Sequence, residues 1–412
     1  MAQTTAHPRT IIVNADGIQG FLVVDSTVNG MSAGGVRLKR GLGAEELGRL
    51  ARVMTHKYGF LGLPCGGAKA GLDAGDDLGP ERRATVFSAF GRELAPFLRG
   101  WGFRPGQDLG TTPEDIGHML RAAGIGHVAA ADLSPSAAYT GLSVAVAAIA
   151  AARFLGLAPE RLSFIIAGFG RVGSAVAREL VDRSCRLIGV STRQGALYDP
   201  RELDLARLLE LQQRHGDGLV DFYPGPERMS AAGLLEVATD ILCPCGNSDV
   251  VNEANAGAVR ARIVCPGANL PLTDAAEKIL NERGILCLPD FVANCGGVLG
   301  PTMLSAGLTD DTVRAFMETR LTQKVVALLV ESKRSPVPLG EIARRSAQGD
   351  FDRVREKARR FRWLMGAARL GDYFRRRHWV SRRLSAVVTR RYFEKMILAN
   401  EPPAVAGDGG TA

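Results

Sequence analysis

At 412 residues the chain is longer than an ordinary single domain, so at least two are expected. Apolar residues make up 46% and charged residues 23%, the balance of a globular protein rather than a disordered or collagenous one. The net charge of +8 misleads: residues 351–400 hold 15 basic and 4 acidic residues, leaving 36 basic against 39 acidic elsewhere. The basicity belongs to one segment and gives no reason to expect nucleic acid at the main site.

The opening MAQTTAHPRT is polar and lacks the apolar run of a signal peptide. The small-apolar stretch Leu142 to Ala152 is cut by Arg153 and is too short to span a bilayer. A cytoplasmic protein without a membrane partner is expected. The seven cysteines (65, 185, 243, 245, 265, 287 and 295) are odd in number and form no CxxC pair. Reduced thiols are therefore expected, and no metal site.

In chain order, residues 11–37 read as short strands separated by Gly and Asn-Gly turns. Leu47, Leu50, Val53 and Met54 recur at helical spacing over 44–57. A Gly-rich turn, LGLPCGGAKAGL, is expected next, then a helix around 81–98 and a small-residue helix over 142–156. After that, apolar runs alternate with helical patterns: Phe164-Ile-Ile-Ala, Leu187-Ile-Gly-Val, Ile241-Leu-Cys, Ile263-Val-Cys and Ile285-Leu-Cys-Leu. Such alternation predicts a parallel, doubly wound sheet. From about 311 the pattern is helical again, the basic extension fills 351–397, and the last residues read as a loose end.

Gly168, Gly170 and Gly173 form G-x-G-x-x-G between the first of these runs and a helix, with Arg171 and Val172 inside the motif. Glycines there permit a tight turn and let backbone approach a pyrophosphate, which the helix N-terminus attracts. A structural Gly-rich turn is the plainer alternative. The fingerprint also expects an acidic residue about twenty positions on, for the ribose hydroxyls. Thr192 stands there instead, followed by Arg193. A missing carboxylate beside an arginine suits a 2′-phosphate, hence NADP slightly over NAD, unless Arg193 merely points into solvent.

Three polar residues lie in unusual settings. Lys57 and Lys69 are twelve residues apart, and Lys69 sits in CGGAKAG, where glycines bring backbone close to a ligand. Asp108 lies in GQDLGTTPED, which also reads as a helix start with Thr111 or Thr112 as its cap. Surface decoration would explain either lysine alone, and capping would explain the threonines without requiring Asp108.

Taken in order, GGVR (34–37), MTHK (54–57), PCGGAKAG (64–71), QDLGTT (107–112), TGLSV (140–144), GFGRVG (168–173), GANLPLT (267–273) and PDFVANCGG (289–297) resemble the glutamate/leucine/phenylalanine/valine dehydrogenase family. The resemblance runs from about residue 14 to 303. It implies that Lys57 binds the substrate α-carboxylate, that Lys69 is the catalytic lysine and that Asp108 is its proton-transfer partner. It places Thr140, Asn269 and Asn294 on the coenzyme side, the first and last near the nicotinamide. Lys69 is expected to have a lowered pKa from burial and from the like charge of Lys57.

The sequence also departs from the family. Cys265 and Pro266 replace the usual Glu-Gly, and the second strand lacks its Asp. The residue before GGVR, a lysine in glutamate-specific members, is Ala33, and Pro301 replaces their serine. With Gly106 small and Val298 nearby, a pocket for a bulky apolar or aromatic side chain is expected. The tail matches nothing in the family; its large apolar groups suggest packing on this chain or a neighbouring subunit, with nucleic-acid binding the lesser alternative.

The expected architecture is α/β with two domains: a substrate domain with a mixed sheet over 1–140 and a Rossmann-type domain over 141–311. Helices of 312–350 return to the first domain, and 351–412 form a basic helical extension. The expected activity is reversible deamination of an amino acid to its 2-oxo acid and ammonia by a homo-oligomer. The alternatives are another reaction run with bound dinucleotide, and a catalytically silent homologue.

Overall fold

The computed structural model describes residues 8–75, 77–100, 102–125 and 136–360. Strands β1 (Arg9–Ala15), β2 (Ile18–Val24), β3 (Ser32–Leu38), β4 (Gly66–Leu72) and β5 (Arg104–Gln107) form one sheet in the order β1-β2-β4-β3-β5. Asp16 and Gly17, both at positive φ, turn β1 directly into β2, as a two-residue hairpin requires. β1, β2 and β4 are antiparallel neighbours, while β4, β3 and β5 run parallel.

The period-2 alternation of strand side chains decides where the chemistry points. Leu22, Val36, Ala68, Ala70 and Leu72 pack against Phe87, Phe90, Ile116 and Met119, from helices Pro80–Glu93 and Pro113–Ala122. The opposite face, with Phe21 and Val23, meets Leu47, Leu50 and Ala51 of helix Ala44–Leu61. Lys69 lies between Ala68 and Ala70, so it belongs to this second face.

Two local expectations need correction. The glycines of CGGAKAG do not make a turn; they begin β4. A Cβ on Gly67 would lie 2.3 Å from the carbonyl oxygen of Ala51, and one on Gly34 would lie 1.7 Å from that of Ala68. These glycines let helix and neighbouring strand touch β4 directly. The single helix expected over 81–98 is also broken: Pro80–Glu93 ends at Leu94, and a separate turn, Ala95–Arg99, begins with Pro96 in its first turn.

The second sheet contains β6 (Ser163–Ala167), β7 (Arg186–Thr192), β8 (Gly195–Tyr198), β9 (Glu227–Met229), β10 (Thr239–Pro244), β11 (Ala261–Val264) and β12 (Leu286–Cys287). Its order is β12-β11-β10-β6-β7-β8-β9. The first five in that order are parallel, and β8 and β9 add an antiparallel edge. This is the doubly wound arrangement, whose crevice opens at the carboxyl ends of β6 and its neighbours.

Helix Ser136–Phe154 is long and apolar enough to cross a membrane by composition, but it is mostly buried. It packs between helices Arg171–Val181, Gly296–Ser305 and Thr322–Lys333. Small residues permit this: a Cβ on Gly141 would lie 2.6 Å from the backbone of Ala175. Helix Leu339–Arg360 then returns to helix Ala44–Leu61, where a Cβ on Gly59 would lie 2.0 Å from the carbonyl of Ala347. That helix runs without a break through 350/351, and Phe351 is buried in it. The change in composition at 351 is therefore no structural boundary, and the rest of the basic extension lies outside the described residues.

Candidate active site

Lys69 on β4, Arg37 on β3 and Asp108 just after β5 meet on the face that helix Ala44–Leu61 covers. Asp108 Oδ2 accepts from Arg37 Nε at 2.9 Å and lies 3.0 Å from Lys69 Nζ. The Arg37 fork turns its other arm to Glu46 Oε1 at 2.7 Å, and Lys39 holds the second oxygen of Glu46 at 2.6 Å. Thr111 keeps Asp108 in position: its hydroxyl accepts from the Asp108 N–H at 2.9 Å and donates to the Val36 carbonyl at 2.9 Å. Thr112, and not Thr111, caps helix Pro113–Ala122, in a reciprocal box with Asp115.

Burial sets the proton affinities. Lys69 is only 2% exposed, and desolvation lowers its pKa, opposed by Asp108 and assisted by Arg37. Arg37 is thus a like charge on Lys69 that the sequence reading did not name, beside the expected repulsion between Lys57 and Lys69. Burial acts to raise the Asp108 carboxyl, but Arg37 and Lys69 outweigh it and hold the carboxyl well below the usual range.

A second chain of contacts lies across the cleft. Lys57, buried in helix Ala44–Leu61, donates to Asn269 Oδ1 at 3.1 Å. The same oxygen accepts from Asn294 Nδ2 at 3.1 Å, and Nδ2 also reaches the Ala268 carbonyl at 2.8 Å. Burial brings Lys57 down to about 8, with Asp290 opposing and Lys69 adding to the effect. Asn269, expected only on the coenzyme side, therefore also holds Lys57. Arg37, Glu46 and Asp290 were not singled out from sequence. Arg37 stood in the quoted GGVR motif, and a charge inside a Gly-rich strand was the available signal.

The crevice fits a dinucleotide. Gly168 sits at φ +106, and a Cβ there would lie 2.7 Å from the Gly246 nitrogen; one on Gly173 would lie 2.2 Å from the Gly168 oxygen. A Cβ on Gly170 would meet nothing within 4 Å, leaving open space above the start of helix Arg171–Val181. Asn294 Oδ1 is buried with no hydrogen-bond partner, an acceptor suited to an amide N–H. Thr140, in the helix beside it, donates to the Ser136 carbonyl at 2.8 Å, and Val172 packs close to Gly267. Arg171 instead reaches across the cleft, to Gln107 Oε1 at 2.7 Å and the Thr111 carbonyl at 3.2 Å. At the end of β7, Thr192 donates to the Asp217 carbonyl at 2.7 Å, and Arg193 Nε pairs with the Asp217 carboxylate at 2.5 Å.

Ala33 and Gly106 share the sheet face of Lys69 and Asp108, since Ala33 pairs with Gly67 and Arg104, and Gly106 with Gly35. A Cβ on Gly106 would find only the Gly34 oxygen, 4.0 Å away. Val298 and Pro301 lie three residues apart on helix Gly296–Ser305, both partly exposed. Ala33 and Val298 pack on the same core cluster.

A doubly wound crevice facing a buried lysine–aspartate contact defines a nicotinamide-dependent dehydrogenase. Residues 135–359 match the Glutamate/Leucine/Phenylalanine/Valine dehydrogenase family, and residues 5–124 match the Glu/Leu/Phe/Val dehydrogenase dimerisation domain. The chain is 31% identical over 329 residues to an NADP-specific glutamate dehydrogenase of Saccharolobus shibatae, covering 73% of this chain and 75% of that one. It is 30% identical over 292 residues to an NAD-specific glutamate dehydrogenase of Staphylococcus aureus, covering 68% and 70%. Among solved structures, hetero-hexameric glutamate dehydrogenase of Thermus thermophilus superposes with a TM-score of 0.73 at 25% identity, covering 86% of this chain and 89% of that one. The chain belongs to this family and is an NAD(P)-dependent amino acid dehydrogenase, an oxidoreductase.

The Arg37 fork generates a stability prediction. Arg37→Met leaves two largely buried carboxylates without their shared cation, and losing one partner of a buried pair costs about 3–5 kcal/mol. Arg37→Lys should not restore the loss, because a single ammonium cannot present the planar fork to both acids. Urea midpoints of the three proteins measure it; equal midpoints would remove Arg37 from the structural account.

Proposed function

We propose that the chain catalyses reversible oxidative deamination of an apolar or aromatic L-amino acid to its 2-oxo acid and ammonia. The observation that carries the reading is the buried Lys69–Asp108 contact of 3.0 Å at the mouth of the crevice. Lys57 receives the α-carboxylate and Asp108 the substrate amine. The bound coenzyme supplies the hydride acceptor. Lys69, its proton affinity lowered by burial, takes the proton of the water that adds to the iminium carbon and balances the developing oxyanion. Asp108 holds a proton only in passing, because Arg37 and Lys69 favour its ionised form; it relays protons between the leaving amine and Lys69. Lys69 works when neutral and Lys57 when charged, so activity rises with pH until Lys57 discharges near 8. We place the enzyme in the cytoplasm as a homo-oligomer, with 1–140 and the returning helices forming the substrate domain and 141–311 the coenzyme domain. A panel of amino acids and 2-oxo acids, followed by nicotinamide absorbance, tests the whole reading.

The chemistry predicts that Lys69→Ala and Asp108→Asn each lower turnover by about 10²–10⁴ while the titrated affinity for coenzyme stays native. Near-native turnover of Lys69→Ala would discard the mechanism.

For coenzyme, we prefer NADP slightly. The Arg193–Asp217 pair is exposed, and such pairs contribute about 0–1 kcal/mol, so a 2′-phosphate can displace Asp217 from the guanidinium. The contact also favours a second reading, in which Asp217 supplies the ribose-binding carboxylate missing from β7 and NAD is used. On the first reading Arg193→Ala weakens NADP about tenfold and NAD little. If Asp217→Asn instead weakens NAD and leaves NADP unchanged or improved, the second stands.

For substrate, Ala33 and Pro301 offer a distal carboxylate no partner, and burying one unpaired costs several kcal/mol. Filling the open space at Gly106 with Gly106→Leu should shift preference from phenylalanine-sized toward smaller side chains, read as the ratio of kcat/KM values. Arg104 is the cation closest in register to Ala33. Efficient glutamate turnover that Arg104→Ala abolishes would replace the apolar pocket with an acidic one.

A further inference from the structure

Asp290 lies at the start of the short helix Asp290–Ala293, on the coenzyme side of the cleft. Its two oxygens accept from separate backbone donors: Oδ2 from the Leu270 N–H and Oδ1 from the Phe291 N–H, both at 2.7 Å. Leu270 is held at φ +50, a region that non-glycine residues rarely occupy. A strained backbone of this kind persists only where its surroundings hold it. Here Asp290 grips the Leu270 amide, while the Leu270 side chain packs against the cluster that includes Leu47 and Leu50 of the helix that carries Lys57. The residue before it is Asn269, whose Oδ1 meets both Lys57 and Asn294.

We propose that Asp290 is a positioning residue for substrate carboxylate binding: it fixes the 267–271 loop so that Asn269 orients Lys57, and it provides the buried negative charge that keeps Lys57 cationic. The inference rests on the reading that Lys57 binds the α-carboxylate. Asp290 makes no hydrogen bond to Lys69, and its charge acts on that lysine less than Asp108 and Arg37 do, so its larger effect should fall on substrate affinity rather than on the chemical step.

The electrostatics agree in sign. Lys57 faces Asp290, Lys69, Cys295 and Asp108; burial is the largest influence and lowers it, and Asp290 is the strongest group opposing that. Around Asp290 itself, burial outweighs Lys57, the two N–H donors and Arg344, so the carboxyl lies above its ordinary value while the cations and donors hold it down toward the ionised form; Glu277 lies within its field and pairs with Arg344. A Lys57 that discharges near 8 binds carboxylate below that pH and loses it above. Removing the Asp290 charge must move the loss to lower pH.

The test compares native enzyme with Asp290→Asn, Asp290→Glu and Lys57→Met, using whichever of L-leucine, L-phenylalanine and L-glutamate the native enzyme turns over best. Asp290→Asn should raise the amino acid KM about tenfold and move its alkaline rise down by about one pH unit, with kcat and coenzyme affinity near native. Asp290→Glu, which keeps the charge but displaces the loop, should raise KM while the alkaline rise stays at the native pH. A native KM and pH profile for Asp290→Asn overturns the proposal. If Asp290→Asn does not fold, Asp290→Glu decides: an alkaline rise shifted from the native pH, or an unchanged KM, overturns it equally. Lys57→Met separates the two levels. An unchanged KM there removes the carboxylate role of Lys57 itself, whereas a raised KM beside a native Asp290→Asn removes only the role of Asp290.

Discussion

Two ammonium groups and a guanidinium, on Lys57, Lys69 and Arg37, are buried to 4% exposure or less at one cleft. Charges so far from water are costly unless paired and hydrogen-bonded, and the surrounding structure supplies that compensation. Arg37 bridges Asp108 and Glu46, Lys69 lies against Asp108, and Lys57 rests on Asn269 with Asp290 behind it. These groups come from β3, β4, β5, helix Ala44–Leu61 and the loops after β11 and β12. The site can exist only when both sheets and the helix between them have assembled.

The glycines make that assembly possible at close range. The Gly34–Ala68 and Gly67–Ala51 contacts bring β3, β4 and helix Ala44–Leu61 nearer than side chains allow. Any Cβ there would separate strand from helix, and Lys57 and Lys69 with them. The same small-residue logic seats helix Ser136–Phe154, with Thr140, against helix Arg171–Val181. Close packing here sets distances between charges, beyond filling the core.

Much of this was legible in the sequence. The alternating apolar runs gave the parallel strands, and the Gly-rich motif fell between β6 and its helix as expected. Lys57, Lys69 and Asp108 were each readable as unusual within a motif. What the sequence could not show was who neutralises them. Arg37 and Glu46 are nine residues apart but meet across a strand and a helix, and Asp290 reaches Lys57's surroundings from more than two hundred residues away. β8 and β9, four and three residues long, carry too little periodicity to be read, and β4 was mistaken for a turn because its glycines serve contact rather than curvature. The Arg193–Asp217 pair eluded reading because its acid comes from a later turn.

Closure and chemistry are joined through the polar contacts that cross the cleft. Arg171, inside the Gly-rich turn, bonds to Gln107 and the Thr111 carbonyl, the residues that flank and hold Asp108. Arg37 reaches Ser248 at 3.2 Å, and Arg49 pairs with Asp249 at 2.8 Å. The Gly-rich turn is thus tied to the loop that carries Asp108. Burial is also the largest cause of the lowered proton affinity of Lys69. Opening the cleft would return water to that lysine and restore its ordinary basicity, so the lowered proton affinity of Lys69 belongs to the buried form. On the proposed mechanism, a lysine made less basic by burial serves as general base only when the cleft has shut, and so does not act before substrate and coenzyme are enclosed together.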